Sequence, residues 1–151
     1  MELLLKNLKT AIFDVLEHMY FLLPDTEEIH ESLSAEEDNF CAISIGIKGD
    51  PTYVLTFVFD KRLAETMTVD ILGISESEIT NEMLQKCLKE TANIIAGKFL
   101  LSFVGQQSRN ITLPHNRKAD VFGKYELIES NKLKLSFNGY CVNSYIDTVK
   151  I

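Results

Sequence analysis

An acid and an amide three residues apart, Glu90 and Asn93 in "KETANIIAGK", are the side chains of this sequence best placed to do chemistry. Residues i and i+3 of a helix share a face, with Cβ atoms about 5–6 Å apart. The carboxylate can pair with a cation on a partner. The amide donates and accepts together, so it can grip one water and aim it. That combination suits orienting a water toward a phosphoryl group whose own protein supplies the metal. Positioning is most of the catalysis in phosphoryl transfer, and GTPases use a glutamine amide in this way. An asparagine inside a helix also competes for backbone hydrogen bonds, so its presence asks for a reason. Spacing alone leaves an ordinary surface pair open, because Glu-x-x-Asn arises by chance on many helices.

Other chemistries find less support. The chain has no Gly-x-Ser-x-Gly elbow and no glycine-rich phosphate loop. Its three histidines, His18, His30 and His115, are far apart. Asp14 and His18 lie one turn apart on the first helix, and "EEIHE" at 27–31 invites a metal, but two ligands make no site and a surface pair is the simpler reading. Cys41, Cys87 and Cys141 are odd in number, share no metal-ligand spacing and fall in apolar or half-buried patterns. Reduced core cysteines fit a cytoplasmic protein. A net charge of -7 and scattered basic residues argue against a nucleic-acid surface. Arg109, Arg117 and Lys118 read as part of a solvated loop. No apolar run approaches a membrane span, and the opening "MELLLKNLKT" lacks a basic leader. A small-molecule enzyme would need a buried polar pocket that no residue cluster announces.

The elements that must hold Glu90 and Asn93 are legible as patterns. Residues 2–22 show helical spacing through Leu4, Leu8, Ile12, Val15 and Met19, ended by Pro24. The acidic stretch "DTEEIHESLSAEEDN" reads as an exposed connection. Cys41, Ile43, Ile45 and Ile47 alternate as a half-buried strand, Gly49-Asp50-Pro51 turns, and "TYVLTFVFD" returns as its hairpin partner. Asp60 is placed to cap a helix carrying Leu63, Ala64, Met67 and Ile71, with Gly73 closing it. The next helix, capped by Ser77 or Thr80, is predicted to run to about Phe103 with Gly105 beyond. On it Leu84, Leu88, Thr91, Ile95, Phe99 and Ser102 form a narrow apolar arc. Asn93 projects almost opposite that arc, and Glu90 lies about 60° from it, on the solvent side. "NITLP", "YELIES" and "KLKLSF" read as short strands, and Asn138-Gly139 as a two-residue hairpin turn into "YCVNSYIDTVKI". The 151 residues are expected to form one α+β domain with a largely antiparallel sheet packed with long helices.

Taken whole, "KETANIIAGKFL" resembles the signature helix of the CheC/CheX/FliY family of chemotaxis phosphatases, with Glu90, Asn93, Ile94, Ile95 and Gly97 at the hallmark positions. The upstream "ISIGIKGDPTYVLTFVFDKRLAETMTVDILG" and the strand-then-proline "ITLP" at Pro114 are similar as well. The likeness covers roughly residues 5 to 148. One Glu-x-x-Asn helix, and no room for a flagellar-switch extension, make the chain most like CheX. Two features depart from the pattern: Lys86 stands where the family often has Asp or Ser, and Pro114 comes slightly early.

The resemblance implies dephosphorylation of phosphorylated CheY, with Glu90 engaging the regulator's active-site lysine and Asn93 orienting the attacking water. It implies no cofactor of the chain's own, with Mg²⁺ and the aspartyl phosphate on the CheY-like receiver. It also implies a homodimer built through the sheets, for which a strand such as 140–149 could offer an edge. The alternative is a non-catalytic CheX-like adaptor that binds a receiver or another signalling partner through the same helix.

Overall fold

The alternating apolar residues after position 40 build the centre of a sheet. In a computed structural model, described for residues 1–25, 39–103 and 108–151, β1 (Phe40–Lys48) and β2 (Thr52–Asp60) pair antiparallel with Ile43 opposite Phe57 and Ile45 opposite Leu55. β3 (Asn110–Ile111) flanks β1. β5 (Tyr140–Lys150) flanks β2, and β4 (Glu126–Phe137) flanks β5, giving a five-stranded antiparallel sheet in the order β3-β1-β2-β5-β4. The fold class is therefore α+β, as expected.

Three helices cover one face: α1 (Glu2–Tyr20), α2 (Lys61–Leu72) and α3 (Asn81–Leu100). Their apolar stripes meet Ile43, Ile45, Leu55, Phe57, Phe59 and Ile146 in one continuous core. No described helix is long and apolar enough to cross a membrane.

Local chemistry explains where these helices start and stop. Asp60 caps α2 by accepting from the Arg62 N–H at 2.9 Å, and Gly73 ends it at φ 64°, a conformation that favours glycine. Thr80, one of the two capping candidates, accepts from the Met83 N–H at 3.2 Å. Ser75, with Glu78, forms a capping box on a separate 3-10 turn at Glu76–Glu78. α1 stops at Tyr20, with Phe21 in the left-handed region, short of the expected residue 22. α3 ends at Leu100 rather than Phe103, because the following N–H groups of Ser102 and Phe103 turn back to Phe99 and Leu100 in tighter i→i−3 bonds. Asn138 and Gly139 both take positive φ at the β4–β5 turn, and the Asp25 carboxylate accepts from both their N–H groups. Residues 26–38 of the acidic stretch, His30 among them, and Gly105 lie outside the described residues.

The far face of the sheet differs from the sequence reading. β1 was expected to be half-buried, yet Ser44 and Gly46 are enclosed too. The chain after β3 folds over them as a strap. His115 bridges Ser44 through paired backbone hydrogen bonds of 2.8 Å. The short helix α4 (Ala119–Phe122) sets Val121 on Val54 and Val149. A Cβ at Gly46 would lie 2.3 Å from the Phe122 ring, so only glycine admits this approach. Leu113, expected inside a strand, is 77% exposed, because Thr112 takes the Gly46 backbone and turns the chain outward.

The basic loop is likewise no free solvated segment. The Arg109 guanidinium donates to the Asp50 and Pro51 carbonyls and stacks on Phe103, while Lys118 pairs with the fully buried Asp147. "YELIES" and "KLKLSF" join into one strand, β4, with an irregularity between Leu127 and Glu129. Residues 140–149 are not an edge. β5 is paired on both sides, and the outermost strand beside it is β4, whose last residues pair with Pro24 and Asp25.

Candidate functional site

α3 is the element that carries the two candidate side chains, and its burial follows from its sequence. Leu84, Leu88, Thr91, Ala92, Ile95, Ala96 and Phe99 are buried, with Cys87 beside them. The opposite stripe is left to solvent: Lys86, Glu90 and Asn93 are all exposed. Ser102, placed on the apolar arc by the sequence, lies past the helix end and is only half-buried.

The structure places Glu90 and Asn93 side by side on the open face, one turn apart on a helix fixed by its packing. Among the described residues, neither side chain makes a hydrogen bond or ion pair within the chain. Both are unengaged, which is what a pair meant for another molecule requires. Lys86, the departure from the family pattern, is turned to Glu82 at 3.4 Å rather than paired with Glu90. Such an exposed i, i+4 pair contributes little to stability, but it directs the ammonium back along the helix. Lys98 reaches Asp14 on α1 at 3.8 Å.

α1 runs antiparallel to α3, since Asp14 faces Lys98 and Tyr20 faces the turn of Cys87 and Thr91. There a buried ring of polar groups joins the two helices within one turn of Glu90 along α3. Thr91 donates its hydroxyl to the Cys87 carbonyl at 2.8 Å. Its single proton is thereby used, so at 2.6 Å the Tyr20 hydroxyl must be the donor to Thr91 Oγ1. Cys87 Sγ, 3.4 Å from the Tyr20 oxygen, then supplies the remaining proton. Burial above all pushes the Tyr20 hydroxyl well above the usual tyrosine range, with Cys87 and the charge of Glu90 adding to it, so Tyr20 stays a donor. The sequence gives no hint of this ring, which joins residues 71 apart.

The remaining candidates separate. His18 Nδ1 sits 2.7 Å from its own helix's Asp14 carbonyl, and the Asp14 carboxylate faces Lys98, so the two form no metal pair. No group of three His, Cys, Asp or Glu side chains suited to a metal occurs among the described residues. Cys41 and Cys87 are buried, Cys141 is half-buried, and none of the three is in a disulfide.

Residues 41–130 match the family model described as chemotaxis phosphatase CheX. Solved structures with the same fold include a CheX from Desulfovibrio desulfuricans, 17% identical, with a TM-score of 0.69 over 99% of this chain and all of that one. A CheC-like superfamily protein from Shewanella sp. PV-4 is 18% identical, with a TM-score of 0.70 over 99% and 98% of the two chains. The CheX of Borrelia burgdorferi, solved as a CheX–CheY–BeF3–Mg²⁺ complex, is 18% identical, with a TM-score of 0.65 over 97% of each chain. No curated protein matches the sequence.

Proposed function

Because the chain belongs to the CheX family of chemotaxis phosphatases, we propose that it hydrolyses the aspartyl phosphate of a phosphorylated CheY-type receiver. Glu90 pairs with a lysine beside the receiver's phosphorylation site and fixes the docking register. Asn93 enters that site, holds one water by its carboxamide and presents the water oxygen to phosphorus. The P–O bond to the aspartyl oxygen breaks as the new one forms, and the products are the receiver's carboxylate and inorganic phosphate. Mg²⁺ belongs to the receiver, which keeps it against the phosphoryl oxygens, and this chain brings no cofactor of its own. A CheX relative solved together with CheY, BeF3 and Mg²⁺ supports this choice of partner, BeF3 being an analogue of the phosphoryl group.

The observation that carries the reading is that Glu90 and Asn93 are both exposed and, among the described residues, unengaged on one face of a helix whose other face is locked in the core. The helix backbone that carries the amide is held by its packing, so what remains to be ordered on binding is the side chain itself. The reading extends to a cytoplasmic homodimer, with the pairing edge assigned to β4, where Leu127 and Ile128 are exposed.

The test is phosphate release from a phosphorylated receiver, with and without the protein. Acceleration that falls at least tenfold in Glu90→Ala supports the reading. Tight binding without acceleration by the unaltered protein would instead identify the adaptor.

A further inference from the structure

The outer stripe of α3 continues past Asn93. At about 100° per residue, Gly97 lies roughly 20° from Glu90 and 40° from Asn93 around the axis, and Leu101 falls roughly 20° from Glu90. Gly97 is a helix-interior glycine, which weakens a helix relative to alanine through added chain entropy. Among the described residues nothing requires it, because a Cβ built there meets no heavy atom of theirs within 4 Å. Gly46 shows the opposite case, a glycine demanded by the ring packed on it. At the end of the same stripe Leu101 is 84% exposed.

We propose that Gly97 and Leu101 are the second half of the receiver-docking surface, Gly97 as a hollow that lets the partner's loop approach the helix backbone and Leu101 as its apolar contact. This rests on the phosphatase reading above. Asparagine is short, so its amide reaches a recessed acyl phosphate only if the helix itself comes close. A side chain one turn further on would hold the two surfaces apart. Leu101 gains by being covered, since its apolar surface then leaves water. The occupant is the rim of loops around the receiver's phosphorylated aspartate, the one part of the partner that Asn93 must already face.

Binding to a beryllofluoride-activated receiver, turnover of the phosphorylated receiver, and melting temperature are measured for the unaltered protein, Gly97→Ala, Gly97→Leu and Leu101→Ser. Gly97→Ala is expected to melt at or above the unaltered protein yet to raise the half-saturating concentration more than it lowers the saturating rate. Gly97→Leu should weaken binding at least tenfold, and Leu101→Ser by about threefold to tenfold. A receiver that binds Gly97→Leu and Leu101→Ser as well as the unaltered protein overturns the proposal and leaves the phosphatase reading standing. If the unaltered protein neither binds nor turns over any receiver, the phosphatase reading itself fails, and this one with it.

Discussion

Replacing Tyr20 by phenylalanine removes one oxygen from the buried ring between α1 and α3 and leaves the rest of the side chain in place. Tyr20 is 4% exposed and Thr91 not at all, so water cannot replace the lost partner. The 2.6 Å hydrogen bond to Thr91 Oγ1 is lost outright. The Cys87 thiol loses its acceptor, while Thr91 keeps its bond to the Cys87 carbonyl. One net hydrogen bond is worth about 1 kcal/mol, and the orphaned weak donor adds less. The expected loss is therefore about 1–2 kcal/mol. Thr91→Val should cost somewhat more, about 1–3 kcal/mol, because it strands the buried Tyr20 proton. The double substitution removes both ends at once, so its cost should fall short of the sum by about 1 kcal/mol. Urea unfolding of the four proteins measures this directly. Single costs below about 0.3 kcal/mol, or simple additivity, would refute the hydrogen-bond directions assigned to the ring.

Three further outcomes follow from other parts of the molecule. Asp60→Ala removes the α2 cap and strands the Arg62 N–H, and should lower stability in urea by about 1–2 kcal/mol. Gly46→Val places side-chain atoms where the Phe122 ring lies, so a loss of about 1–3 kcal/mol with faster proteolysis of the strap is expected; unchanged proteolysis would contradict the packing described. Alkali should also be destabilising through Tyr20. Its folded-state value is raised, so its contribution is fully present below the unfolded tyrosine value near 10 and is lost as pH climbs above that. Above pH 10, Tyr20→Phe should therefore lose stability less steeply with pH than the unaltered protein, by up to about 1.4 kcal/mol per pH unit.

Much of this architecture is written in local pattern. Asp60 and Gly73 bracket α2 because capping and positive φ are chemistry of single residues. Cys41 through Ile47 alternate because one side of β1 meets the helices. Asn138-Gly139 is a turn by composition alone. Glu90 and Asn93 were placed on the open face by the same reasoning, since a helix with one buried stripe leaves its opposite stripe outside.

What stayed hidden depends on contacts distant in sequence. The strap over Gly46 is set by Val121 and Phe122, whose short helix carries no periodic signal. Lys118 looks like a loop residue until Asp147 on β5 is brought beneath it. β4 seemed two pieces because an edge strand tolerates polar residues such as Glu129 and Ser130 in its middle. β5 seemed an edge because nothing in its own residues reveals that β2 lies on its other side. The Tyr20 ring is the extreme case: two helices far apart in the chain supply its members.

The proposed role of the Asn93 carboxamide, held outward by α3, is to direct water onto a partner's aspartyl phosphate. Phosphate release from a phosphorylated CheY-type receiver should be followed with unaltered protein and with Asn93→Ala, alongside binding and melting. Asn93 is exposed and alanine is the better helix former, so the variant should melt no lower than the unaltered protein. Receiver binding is expected to stay within about threefold and acceleration to fall at least a hundredfold, the order found when a polar group that stabilises a transition state is removed. An Asn93→Ala protein that still speeds phosphate release like its parent would contradict it.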